Sequence, residues 1–130
     1  MNFKIKNFRR PFALSVNKEG LLAVLYKNKQ TNLLLAKING KVIHNIPLSY
    51  LDLNHAMGVA LQGKDKLFLF EESNKTLHTF NLDLTHINSL EMPQSHYTGM
   101  SNEEKESTIY LFAKDIRTIF GIKDGKIAGI

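Results

Sequence analysis

Residues 66–71 read Lys-Leu-Phe-Leu-Phe-Glu, four consecutive large apolar side chains (Leu67, Phe68, Leu69 and Phe70) between two charges. Successive side chains of a strand point to opposite faces, so a strand that is apolar at every position has no wet side and is covered on both. The same kind of run occurs at Leu22-Ala23-Val24-Leu25 and at Ile109-Tyr110-Leu111-Phe112. Sliding the first run onto the second by 45 residues puts Leu14 on Val59, Val16 on Leu61, Leu22 on Leu67 and Leu25 on Phe70. One residue of slip in the next turn then aligns Leu33 with Leu77, Ala36 with Phe80 and Ile38 with Leu82. A period of about 40–45 residues means one small unit used repeatedly, each copy dependent on its neighbours to bury its apolar face.

Working outward from these runs, the first unit, residues 12–48, reads as strands at Phe12–Val16, Leu21–Tyr26, Leu33–Ile38 and Lys41–Leu48. Its Asn39-Gly40 dipeptide tolerates positive φ and predicts a type I′ hairpin turn. The second unit, 57–92, repeats the plan with Met57–Gln62, Lys66–Glu71, Thr76–Leu82 and His86–Met92. The third, 96–130, is less regular: a polar insert at Ser101–Ser107, strands at Thr108–Ala113 and Ile116–Ile122, then Asp124-Gly125 and a short tail. Four-stranded antiparallel sheets stacked face to face, with an inner strand buried twice over, resemble the blades of a β-propeller. The resemblance covers roughly residues 12–130 and rests on strand order, period and turn placement. No Trp-Asp dipeptide, Gly-His opening or repeated Gly-Gly pair is present to name a subfamily.

The expected fold is therefore all-β, with antiparallel propeller-like units repeated about three times in one domain spanning 1–130. Closed propellers use about four to eight blades, and three leave two apolar sheet faces open. A second copy completing a ring, a longer assembly, or closure as a β-sandwich or barrel would each resolve this. Ser101-Asn102-Glu103-Glu104 also fits a capping box, and Ile109, Phe112, Ile116, Ile119 and Phe120 follow helical spacing up to Gly121. That pattern defines an α+β alternative with a helix near residues 102–120.

Composition narrows the class. The chain is 43% apolar and 22% charged, as in globular proteins. No run approaches the ~18 apolar residues of a membrane span, and the basic N-terminus lacks the apolar stretch of a secretory leader. The expected location is the cytoplasm. With no cysteine, disulfides, thiolate zinc sites and cysteine catalysis are all excluded. Asn74-Lys75-Thr76 matches a glycosylation acceptor but reads as a turn.

Catalytic patterns are sparse. The five histidines, His44, His55, His78, His86 and His96, are never closer than eight residues, and none lies in a metal-ligand motif. Each reads as a strand-surface or turn residue. Ser15-Val16-Asn17-Lys18 has Ser-x-x-Lys spacing, but that chemistry needs a helix where this segment is a strand running into a turn. Asp52 precedes His55 by three residues in a connector, where polar residues are commonly turn formers. Glu71-Glu72 and Glu103-Glu104 read as solvated edges, because adjacent strand residues point apart. No catalytic, cofactor-binding or metal-binding residue is expected.

Charge is the stronger signal. Residues 1–45 carry nine Lys or Arg against the single acid Glu19, a segmental charge of +8 in a chain whose total is +5. Such a field steers a partner of opposite sign. Lys4, Lys6, Arg9, Arg10, Lys27 and Lys29 are the candidate partner-binding residues. A single-strand nucleic-acid binder would interleave free aromatics with these cations. Only Phe3, Phe8, Phe12 and Tyr26 are at hand, the last two committed to strands, so an acidic protein surface is the favoured partner. The expected function is non-catalytic protein–protein binding, by a self-assembling scaffold, such as a homodimer, or by a small inhibitor or immunity-type protein. A nucleic-acid binder using the basic segment and an enzyme with a loop-built site are the alternatives.

Overall fold

A computed structural model describes residues 10–129, and over them the chain forms antiparallel four-stranded sheets in sequence order. The first contains β1 (Pro11–Val16), β2 (Leu21–Asn28), β3 (Gln30–Lys37) and β4 (Val42–Pro47). A 3-10 turn at Leu48–Leu51 leads to the second, with β5 (Ala56–Gln62), β6 (Lys66–Glu71), β7 (Thr76–Asn81) and β8 (His86–Glu91). The third holds β9 (Gly99–Glu103), β10 (Thr108–Ala113), β11 (Thr118–Lys123) and β12 (Lys126–Gly129). Each sheet is a meander in which sequential strands pair. Among the described residues no helix is long and apolar enough to cross a membrane.

Two local expectations are corrected. Residues 102–120 form no α-helix: Ser101 pairs with Tyr110 and Glu103 with Thr108 across β9 and β10. Locally, β-branched Thr108 and Ile109 and aromatic Tyr110 favour extended backbone, and pairing on both sides of β10 secures it. The Glu103 carboxylate bonds the N–H groups of Lys105 and Glu106, closing a turn where a helix would have started. The polar insert is thus half strand and half turn. Nor is Asn39-Gly40 a type I′ turn, since only Gly40 takes positive φ, at +99°. Gly40 N–H donates to Lys37 O at 2.9 Å and Lys37 N–H to Lys41 O at 2.8 Å. A type I turn closed by one left-handed residue fits those bonds. Residues 81–85 repeat them, with Leu84 at φ +70°. The two consecutive positive φ values of a type I′ turn occur at Asp124 (+52°) and Gly125 (+73°), between paired Lys123 and Lys126.

Packing follows the pleat of β6. Leu67 and Leu69 point to the first sheet, into a core with Ala23, Leu25, Leu33 and Leu35 that Leu48 and Leu53 of the connector help fill. Phe70 points the other way, joining Ile109, Leu111, Phe120 and Ile122 of the third sheet. Tyr97, from the second connector, is fully buried there, edge-on to Phe70 with centroids 4.9 Å apart. Burial raises the Tyr97 phenol pKa above its usual value, although its oxygen accepts the Gln94 N–H.

The first strands of the sheets lie side by side. Ser15 Oγ accepts the Leu61 N–H at 2.9 Å, Asn17 Nδ2 donates to Gly63 O at 3.1 Å, and Gln62 Nε2 reaches Asn102 Oδ1 at 3.2 Å. Gly58 allows the β5–β9 approach, because a Cβ there would sit 3.1 Å from Met100 Cβ. The doubly covered strand expected in every unit is realised most fully in the middle one. On the outer side of the third sheet, Phe112 and Ile119 stay about 40% exposed and line an open hollow with Tyr110. On the outer side of the first sheet, Leu14 and Val16 are exposed, beside a small buried cluster of Val24, Tyr26, Leu34 and Ala36.

Candidate functional site

The inter-sheet connectors and the β2–β3, β6–β7 and β10–β11 turns share one end of the strands. Arg10, just before β1, and Lys27, near the end of β2, meet at that end, where the Lys27 N–H donates to Arg10 O at 3.3 Å. Together with Pro11, Phe12, His55 and Met57 they line an open hollow of about 370 Å³, in which no described residue contributes a carboxylate. Lys29 sits at the tip of the β2–β3 turn in left-handed conformation (φ +69°), between paired Asn28 and Gln30. The structure therefore gathers Arg10, Lys27 and Lys29 at one end of the first sheet. Lys4, Lys6 and Arg9 lie outside the described residues. Of the nearby aromatics, Phe12 is exposed, whereas Tyr26 is buried with its hydroxyl donating to Asn45 Oδ1. Asp52 caps the 3-10 turn through its backbone N–H, and its carboxylate is not hydrogen-bonded to His55.

A second constellation was not expected. Glu71, read as a solvated edge, is only 2% exposed. Its Oε2 accepts the Asn54 N–H at 3.1 Å, and its Oε1 accepts the Asn74 amide at 2.9 Å and faces His78 Nε2 at 3.1 Å. On its other side His78 Nδ1 lies 3.1 Å from Ser89 Oγ and 3.4 Å from His86 Nε2, while His86 Nε2 and Ser89 Oγ are 2.8 Å apart. Strand register builds the row: His78 stands directly opposite Ser89 across β7 and β8, and His86 pairs with Phe80 two positions along. A linear scan misses it because the residues are seven to eleven apart and meet only across hairpins. Among the described residues no three His, Asp or Glu converge as a metal site.

Burial by itself would raise the Glu71 pKa, but the Asn54 N–H, the His78 and Asn74 hydrogen bonds and the charge of His78 outweigh it and hold the group below its ordinary value. The unfolded chain then takes up this proton at higher pH than the folded one. The resulting stabilisation is fully present above the ordinary carboxylate pKa, about 4.3, and is lost as pH falls through the lowered folded value. In denaturant titrations at successive acid pH values, the parent chain should lose stability more steeply than Glu71→Gln. Parallel pH profiles for the two chains would remove this linkage.

No protein-family model and no curated protein matches the sequence. Solved structures do. Virginiamycin B lyase from Staphylococcus aureus is 17% identical with a TM-score of 0.67, over 99% of this chain and 43% of that one. The WD40 repeats of RRP9 give 12% identity and TM-score 0.72, over 98% of this chain and 39% of theirs. A nidogen/laminin complex gives 13% and 0.72, over 92% and 47%. The fold is that of propeller-type repeat proteins, and the chain spans less than half the length of each of these structures. The three are a lyase, a set of WD40 repeats and a nidogen/laminin complex, so the shared fold specifies no activity.

Proposed function

We propose that the chain is a protein-binding module that takes an acidic segment of a partner protein at the basic end of its first sheet. The observation that carries this is the hollow between Arg10 and Lys27: two cations around an apolar floor of Phe12 and Met57, with no carboxylate among the described residues of the lining. Carboxylates of a docked segment would pair with the cations, and an apolar side chain would cover the floor, the mixed chemistry of protein interfaces. A nucleic-acid track would need a series of stacking platforms, and among the described residues lining the hollow Phe12 is the one Phe, Tyr or Trp. The reading assigns no bond-making step to this end, and it suits a scaffold or an inhibitor equally.

The test is titration with a short synthetic peptide rich in Asp and Glu and carrying one Phe. Changing Arg10 and Lys27 together to Glu should weaken binding by about ten-fold or more. Lys64→Glu, in the β5–β6 turn at the opposite end, should leave it nearly unchanged. Equal affinities for the parent chain and the Arg10/Lys27 variant would overturn the assignment.

A further inference from the structure

The row running from Glu71 to Ser89 plays no part in the binding reading, and its order is chemical. An ionised carboxylate can only accept, so the nitrogen facing it, His78 Nε2, carries the hydrogen and leaves the Nδ1 lone pair toward Ser89. The Ser89 hydroxyl then donates to Nδ1 across 3.1 Å. Exposure rises along the row: Glu71 is buried, the His78 side chain is 14% exposed, and Ser89 and His86 are open to solvent. A network made only to hold the fold gains little from its exposed end, since water satisfies an exposed hydroxyl and imidazole equally well. A held carboxylate, an imidazole fixed in one tautomer and an accessible hydroxyl are the parts of an activated nucleophile, recognised by geometry rather than by sequence position.

We propose that Ser89 is a nucleophile for acyl transfer from activated esters, with His78 as its general base and Glu71 as the positioning residue. Ser89 Oγ attacks the ester carbonyl carbon while its proton passes to His78 Nδ1. As the carbon–oxygen bond to the leaving alcohol breaks, that proton is delivered to the departing oxygen, and the acyl group remains on Oγ. Water then attacks the acyl-serine, giving its proton to His78, which returns it to Oγ as the carboxylic acid leaves. His86 Nε2 lies 2.8 Å from Ser89 Oγ, at the reacting end of the row, where a donor can meet the substrate carbonyl oxygen as it gains negative charge. The site lies on β6, β7 and β8, apart from Arg10 and Lys27, so its failure and that of the binding reading are separately observable.

The experiment treats the full chain with an alkyl fluorophosphonate, which phosphonylates activated serines, and maps the adduct by peptide mass spectrometry. Ser89 should react far faster than the exposed serines Ser49 and Ser73, and Ser89→Ala should remove the adduct. His78→Gln should slow the reaction by about a hundred-fold with its circular dichroism unchanged. Should His78→Gln not fold, His86→Gln, at an exposed position, carries the test and should also slow the labelling. Labelling of Ser89 no faster than of Ser49 and Ser73, or as fast in the histidine variant that folds as in the parent, would overturn the proposal.

Discussion

Leu69→Ala should lower the unfolding free energy by about 2–5 kcal/mol, the range for emptying a leucine site in a packed core. Leu69 has no exposed surface, and it fills the space between the first and second sheets among residues of both. The strands around it are paired on either side, so the site cannot collapse without disturbing two ladders. Lys64→Ala, in the exposed β5–β6 turn, should change stability by less than about 0.5 kcal/mol. Denaturant midpoints measure both, and equal midpoints would show that β6 is not the doubly covered strand of the middle sheet.

An equally large loss should follow from the next residue on the opposite face. Phe70→Ala should cost about 3–5 kcal/mol, because its ring is fully buried between the second and third sheets and stands edge-on to Tyr97. A double-mutant cycle between Phe70→Ala and Tyr97→Ala should add a coupling of about 0.5–1.5 kcal/mol for the aromatic pair. No single-faced strand can make two adjacent residues both costly. A Phe70→Ala cost near that of Lys64→Ala would mean that the third sheet does not pack against the second.

The pattern that exposes this arrangement in the sequence is the all-apolar run itself. Leu67 to Phe70 announces a strand with two covered faces, and shifting it along the chain finds its counterparts in β2 and β10 because the same packing problem recurs. The capping-box pattern at Ser101 misleads for a physical reason: Glu103 does bond backbone N–H groups ahead of it, but in a turn that ends β9. Asn39-Gly40 misleads because the bulged β3–β4 pairing needs only one left-handed residue. Phe112 departs from its expected cover because the third sheet has a described neighbour on one side only.

The candidate sites were legible to different degrees. Excess positive charge in the first third of the chain is a one-dimensional property, so Arg10, Lys27 and Lys29 could be singled out before any strand was placed. Their convergence with Phe12, His55 and Met57 depends on β1, β2 and β5 starting or ending together, which charge counting does not show. Glu71, His78 and Ser89 are joined only by hairpin register. A buried carboxylate looks like a surface one in sequence until its donors, Asn54 and Asn74 among them, are placed in space.

The central claim is that the basic segment serves an acidic protein partner rather than nucleic acid, and titration of labelled RNA and DNA at about 0.15 M salt tests it most directly. Each phosphate neutralised releases counterions, giving a log–log salt slope of roughly −0.7 per contact on single strands and −0.9 on duplex. The account predicts affinity no tighter than the non-specific range of about 10⁻⁴ to 10⁻⁶ M, with no preference among sequences. Sub-micromolar, sequence-dependent binding that collapses when Lys4, Lys6, Arg9 and Arg10 are changed to Glu would contradict it.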